Sequence, residues 1–561
     1  MKKETVKTKF DPKVKLDNRW HNVENTSVKI YLKSSKMNSQ QLAENGIGHK
    51  LLAEINFDAT IQDLTSVLAQ RDYAHLTFAA ITENRILLKA DIARSSPLFY
   101  TVNSDSLLIT DHIPIAAGYE INPDSAEEFM AMGFVSGADT MYKNVCGLQA
   151  GELVSISDEV RSCRYFYNKT FDNPAPIDES DVDRLAEELD RIFMELFHEI
   201  TGSMPEEGRI VVPLSGGHDS RLIINYLYKT GFRNVLCYTY GLPGNKQSRV
   251  SKQVAEALGY EWHFVEYTGE KWKALHDKGE IEKYIDFAFR GVSTPHLQDF
   301  LAVYELFQNK ILKPGDVIMP GHGLDILCQV IDVRKYEDNL VEGIVQRFEQ
   351  RKNFRRKHGT ALYSKYSRHR ENFPFGDKHL IDFLFWQENQ VKYLVNSLRV
   401  YEYFGLNHCI AYWDRRVTDF WYSIPMEQKF ERNLLRKMEK RRLIHEKLSG
   451  IPYCDERVVN TTPKNKKKTV KQRLKSYLPN ALIVALIRLV RRKPALDEGM
   501  NLIYSRKINS VGELAGDEDL WPKRASAYFQ KEKKRIPFQA NHELLVRTHT
   551  MAMVLNKNKM Q

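Results

Sequence analysis

The most reactive stretch of the chain is Ser215-Gly216-Gly217-His218-Asp219-Ser220, set within RIVVPLSGGHDSRL. An apolar run ends in two glycines flanked by serines, and helix-forming residues follow at once. Glycines let the backbone approach an anion, a helix start presents N–H groups under a positive dipole, and the Ser215 and Ser220 hydroxyls add donors. The pattern is a phosphate cradle. The Asp219 carboxylate would repel phosphate unless a divalent cation stood between them, so magnesium is implied. Neither GxxxxGK[ST] nor GxGxxG is present, so the common nucleotide and dinucleotide loops are excluded.

A second cluster, PGHGLDI (320–326), follows the buried run VIM. It brings Gly321, Gly323 and Asp325 to the same sheet edge, where Asp219 and Asp325 can share the magnesium. His322, with an ordinary pKa near ~6.5, could take a proton from an attacking amine; equally, it could orient phosphate or cap a helix.

Such a site needs a parallel sheet behind it. From Gly208 onward strand and helix alternate: 210–214, a helix from Asp219, 235–240, a helix from Ser248, and 262–267. Residues 280–448 then read as mainly helical, with 317–321 as one more buried strand and aromatic-rich helices such as 382–404. Upstream, residues 27–167 are strand-rich, with short runs at 73–81, 85–91, 98–103 and 107–110. Prolines and acids at 171–181 mark a boundary, and Ser180 opens a helix of the type Leu185–Ile200.

The chain has 561 residues, enough for roughly two to four domains. At 42% apolar and 27% charged it is globular and not collagen-like or wholly disordered. The six cysteines are dispersed, which argues against a disulfide framework or a zinc site. The basic start lacks an apolar signal core, and the longest apolar run, 481–487, is far short of the ~20 residues that span a bilayer. A cytoplasmic protein is expected. The +10 charge gathers in 464–493, which holds no acid and encloses the apolar stretch 478–490. That segment reads either as an interfacial helix at the inner face of the membrane or, preferably, as a buried helix flanked by basic loops. No aromatic-interleaved basic face suggests nucleic acid.

The loop resembles the SGGxDS pyrophosphate loop of ATP pyrophosphatases. With the second motif and the helical region, it is similar to the asparagine synthetase family. DIARSSPLFYTVNSDSLLITD (91–111), GADTMYKNVCGLQAGELVSIS (137–157) and YWDRRVTDFWYSIPMEQKF (412–430) resemble family segments, with Asp414 on the family's Asp. The likeness spans roughly residues 70–470. It implies an α/β protein: an N-terminal extension (1–26), a degenerate Ntn-hydrolase-like αββα sandwich (27–172), a parallel-sheet PP-loop synthetase domain with a helical C-terminal region (178–470), and a basic helical extension (471–561). It implies ATP and Mg2+ as cofactors, adenine near Tyr240 and Gly241, and a phosphate-neutralising lysine, Lys464 or Lys466, from TTPKNKKK.

Departures from the family shape the expected reaction. No cysteine precedes Cys146, and the glutamine-binding segments are missing, so nitrogen must come as ammonia or an amine from elsewhere, for instance a separate glutaminase. Asn407 and Cys409 replace the usual Glu and Arg, which argues against free aspartate as the acceptor. The leading expectation is adenylation of a carboxylate on a small molecule or glycan of surface polysaccharide, followed by amide formation. Ring closure of the lactam or lasso-peptide type, ammonia-dependent asparagine synthesis, and an ATP-binding scaffold are the alternatives. The oligomeric state is left open.

Overall fold

A computed structural model describes residues 12–454 apart from 26, 104–105, 116–117, 158, 168–175, 329–339, 342, 345–359 and 372, together with 546–554 apart from 548 and 552. Among the described residues the N-terminal part is built on ten strands: β1 (Lys13–Lys15), β2 (His21–Glu24), β3 (Val28–Ser34), β4 (Leu76–Thr82), β5 (Ile86–Lys89), β6 (Phe99–Asn103), β7 (Ser106–Thr110), β8 (Val145–Gly147), β9 (Glu152–Ile156) and β10 (Val160–Arg164). They form a six-stranded sheet, β10-β9-β5-β4-β3-β2, and a four-stranded sheet, β1-β7-β6-β8.

Period-two alternation sorts the side chains between layers. On β3, β4 and β5, Ile30, Leu32, Phe78, Ala80 and Leu87 pack under the helices Ile47–Glu54 and Ile61–Leu68. The intervening Ala79, Ile86 and Leu88 face Tyr100, Leu107 and Ile109 of the other sheet. Beyond that sheet, Phe99 and Val145 join the cluster that holds the helix Pro123–Met132. The layers therefore run helix, sheet, sheet, helix, as an αββα sandwich.

The sandwich begins earlier than the sequence suggested. Residues 13–24, expected to lie outside it, supply a strand to each sheet: β1 pairs in parallel with β7, and β2 antiparallel with β3. Those strands are only three and four residues long and polar on their open side, so no alternation announces them. Similarly, Tyr73 and Ala74 belong to a short helical turn, and β4 starts at Leu76.

The second unit opens with the helix Asp181–Gly202, which buries Leu185, Leu189, Phe193, Leu196 and Ile200 along one stripe. Among the described residues its sheet has five parallel strands, β11 (Ile210–Pro213), β12 (Val235–Gly241), β13 (Glu261–Glu266), β14 (Val317–Ile318) and β15 (Asn407–His408), in the order β13-β12-β11-β14-β15. The order reverses between β11 and β14, and ligands of open parallel sheets bind outside the carboxyl ends of the strands at such a point. β15 was not anticipated; two residues are too few to carry a strand signal.

The expected aromatic helix at 382–404 is broken into an α-helix Asp377–Leu384, a π-helix Phe385–Leu394, a short 3-10 turn Val395–Leu398 and a last helix Arg399–Tyr403. Tertiary anchors account for the break. Glu388 accepts from the Gly137 amide at 3.0 Å, and Lys392 Nζ donates to Val135 O at 2.8 Å and Gly137 O at 2.5 Å. These buried groups point into the sandwich and need partners there. The two units are further joined by a buried ion pair between Lys36 and Asp414 and by Arg19, whose Nη1 donates to Glu402 O at 2.9 Å. Among the described residues no helix is long and apolar enough to cross a membrane, and the segment 478–490 and most of the extension 471–561 lie outside them.

Candidate active site

β11 runs into the loop Ser215–Gly217, and the helix His218–Lys229 starts from Gly217 with no side chain capping it. Internal bonds hold the loop: Ser215 N donates to Ser220 Oγ at 3.0 Å, the two serine hydroxyls lie 3.0 Å apart, and Gly217 N donates to Ser215 Oγ at 3.2 Å. The serines expected to bind phosphate thus also shape its cradle.

The second motif reaches the same place from β14. A Cβ on Gly321 would lie 3.0 Å from both the Ser220 nitrogen and Asp219 Cβ, so glycine is what lets the two motifs close on each other. Gly323 has φ +107°, a region that suits glycine, and a side chain there would strike the Trp413 indole. Asp325 lies in the first turn of the helix Leu324–Cys328.

Burial raises the Asp219 carboxyl most, Arg432 pulls it down and Asp325 pushes it up again, leaving it at about 7. Its side chain keeps 21% exposure, and Arg432 Nη1 sits 3.3 Å from its Oδ1. Among the described residues no cluster of three or more acids, histidines or cysteines could hold a metal on its own. Two mutually repelling carboxylates at a phosphate loop do fit magnesium, which takes one or two carboxylates and completes its shell with phosphate oxygens and water.

His322 is half-buried beside the second motif, with Nε2 2.8 Å from Ser397 Oγ. Burial pushes its imidazole down to about 4, against the pull of Asp299. A base that weak does not hold an ammonium proton at neutral pH. Tyr240, placed by sequence near adenine, donates its hydroxyl to Asp299 and stacks on Tyr267 at 4.9 Å and 10°. Gly241 ends β12 at φ +129°. The helix after it starts at Lys246, two residues before expected, because Asn245 is its cap and accepts from Ser248 N at 2.8 Å. Lys464 and Lys466 lie outside the described residues.

Three residues at the loop escaped the sequence reading. Arg432 follows the block 412–430 by two positions, and that adjacency was the available signal. Glu439 Oε2 lies 2.6 Å from His218 Nδ1, and Tyr453 stacks on the same imidazole at 3.8 Å. Nothing local marks either one.

A family model described as asparagine synthase matches residues 200–485. The chain belongs to the asparagine synthase family. It is an ATP-dependent carbon–nitrogen ligase, and the loop at 215–220 lies within the matched residues. The asparagine synthase match begins inside the helix Asp181–Gly202 and runs past 470, as far as 485 within the apolar stretch 478–490. No curated protein matches the sequence. Among solved structures, NMN synthetase from Francisella tularensis is 13% identical, covering 39% of this chain and 93% of that one with a TM-score of 0.20. NH3-dependent NAD synthetase from Campylobacter jejuni is 14% identical over 38% of this chain and 95% of its own, TM-score 0.20. Glutamine phosphoribosylpyrophosphate amidotransferase from B. subtilis is 12% identical, over 44% and 72%, TM-score 0.15. Likeness at that level bears on neither substrate nor partner.

Proposed function

We propose that this ligase adenylates the carboxylate of a sugar destined for surface polysaccharide and converts it to an amide. A carboxylate oxygen attacks the α-phosphorus of ATP and pyrophosphate leaves; the nitrogen of ammonia or an amine then bonds to the acyl carbon, AMP leaves, and the nitrogen releases a proton. The observation that carries this reading is the convergence of Asp219 and Asp325 at the sheet's switch point, beside a loop shaped for phosphate.

Each group has a part. The loop at 215–220 binds the β- and γ-phosphates, and Arg432 offsets charge that builds on the departing pyrophosphate. Asp219 and Asp325 would hold magnesium, which when bound draws charge from the phosphate oxygens. His322, neutral at pH 7, orients the acyl group or phosphate by a hydrogen bond, and Lys464 or Lys466 adds positive charge to the phosphates. Backbone groups near Tyr240 and Gly241 receive the adenine.

The acceptor reading is supported by the edge strand. Where relatives carry a charged pair, Asn407 sits on β15 and Cys409 is buried, its thiol pushed up to about 12. Neither recognises the two charges of free aspartate. The nitrogen source is separate in this scheme. The sandwich's cysteines, Cys146 and Cys163, lie within β8 and β10, and burial raises the Cys146 thiol, the reverse of activation. The reaction is placed in the cytoplasm, at the inner face of the membrane if 478–490 is interfacial.

ATP–pyrophosphate exchange on the full chain tests the reading against uronic-acid sugars, aspartate and carboxylated peptides. Exchange supported by a uronic acid and lost in Asp219→Ala is expected. Exchange supported only by aspartate or by peptides would replace the sugar with that acceptor, and ATP–magnesium binding with no exchange on any carboxylate would make the chain a binding protein.

A further inference from the structure

The phosphate loop is gripped from behind by a segment more than 230 residues away. Tyr453 has its ring centroid 3.8 Å from the His218 imidazole, with the planes 15° apart, and 3.8 Å from the Arg221 guanidinium carbon. A group that close to a ring centroid must lie over a face, because an in-plane approach would overlap the ring's own atoms. His218 and Arg221 stand three residues apart on one helix face, so the tyrosine ring slots between them.

Backbone contacts fix the same segment. Arg221 donates to Ile451 O at 2.6 Å and Pro452 O at 2.8 Å, and Cys454 N donates to Gly216 O at 2.9 Å. Gly216 admits this approach only as glycine: a Cβ there would lie 2.0 Å from Cys454 Sγ. Lys246 Nζ reaches Cys454 O at 2.8 Å from the neighbouring helix. Glu439 holds the imidazole at its edge, accepting from His218 Nδ1 at 2.6 Å, and both side chains are almost wholly buried.

These contacts meet the loop at two of its own residues, Gly216 and His218, and at Arg221 one turn along. We propose that His218, Arg221 and Tyr453 form a clamp that holds the loop in its pyrophosphate-binding shape, acting as positioning residues. The inference rests on the assignment of this loop to ATP. It gives a role to the histidine between Gly217 and Asp219, a place where phosphate binding itself asks for no particular side chain.

Calorimetric titration of the full chain with inorganic pyrophosphate plus magnesium, and separately with adenosine, tests the clamp. Tyr453→Ala is expected to weaken pyrophosphate about tenfold, the scale of one lost stacking and cation–π contact, while adenosine binding stays within about twofold. Tyr453→Phe, which keeps the ring, restores pyrophosphate binding. Pyrophosphate affinity unchanged in Tyr453→Ala, or equal loss of both ligands, overturns the proposal. If Tyr453→Ala does not fold, His218→Leu, which removes the stack and the Glu439 bond at similar volume, must show the same split, and its absence overturns the clamp. An unmodified chain that binds neither ATP nor pyrophosphate would overturn the loop assignment itself, a result visible before any variant is made.

Discussion

Arg432 Nη1 lies 3.3 Å from Asp219 Oδ1, so the acid of the phosphate loop has a cation beside it from a residue 213 positions away. Arg432 itself has φ +60°, a conformation unusual for a side-chain-bearing residue and held by its surroundings. Replacing it by Met removes the positive charge beside Asp219. Arg432→Met is expected to lower ATP–pyrophosphate exchange by at least about tenfold, in line with other charge-stabilising groups, measured as initial exchange rates at saturating ATP.

Titration of Asp219 gives a pH signature. At about 7 its carboxyl is roughly one-tenth ionised at pH 6 and nine-tenths at pH 8. Magnesium needs the ionised form, so affinity for magnesium–ATP should rise about tenfold between those values. In Asp219→Asn the rise should vanish. Stability has the opposite sign. The raised carboxyl stabilises the ligand-free fold below the ordinary carboxylate range, and that contribution is lost as pH climbs through 7. Asp219→Asn should therefore gain stability over the parent at pH 8 and not at pH 4, by urea unfolding.

Gly321 tests the contact between the motifs. In Gly321→Ala the new methyl meets the Ser220 nitrogen and Asp219 Cβ at 3.0 Å, and the crowded atoms are the loop itself. Exchange should fall more than about tenfold, because sub-ångström shifts at a reacting centre are costly, with the melting point lowered by only a few degrees. Gly450→Ala, where a Cβ meets nothing within 4 Å, should leave exchange unchanged.

Asp414 joins the two units. It is fully buried, pairs with Lys36 and with Arg416 at 2.9 Å, and caps the helix Arg415–Ser423 by accepting from Arg416 N at 2.8 Å. Burial works against its charge, yet Lys36 and Arg416 hold its carboxyl well below the usual range. Asp414→Asn leaves those cations without their buried partner and should cost about 3 kcal/mol, read from the urea midpoint at pH 7. The lowered carboxyl contributes stability above the ordinary carboxylate range and loses it as pH falls through the depressed value. Parent and variant should therefore converge in acid.

The parts legible in the sequence are those whose physics is local. A strand, two glycines and a helix start must lie within a dozen residues to cradle phosphate, so Ser215–Ser220 announces itself, and so does the Gly-rich turn ending in Asp325. Alternation likewise exposed β4 to β7, β11 and β12 to within a few residues. What stayed hidden depends on residues that meet only after folding. The three- and four-residue strands β1 and β2 are held by their neighbours, and the π-helix at 385–394 follows from buried polar anchors on the sandwich.

The site divides the same way. Residue types alone determined that this chain carries an acidic, glycine-rich turn between a strand and a helix, and a second carboxylate to match it. Tertiary structure alone decided the protonation and setting of those groups: desolvation and Asp325 bring Asp219 to about 7, burial takes His322 to about 4, and Arg432, Glu439 and Tyr453 arrive from over two hundred residues away. Charge is written in the sequence, but the medium and the neighbours that set its energy exist only in the fold.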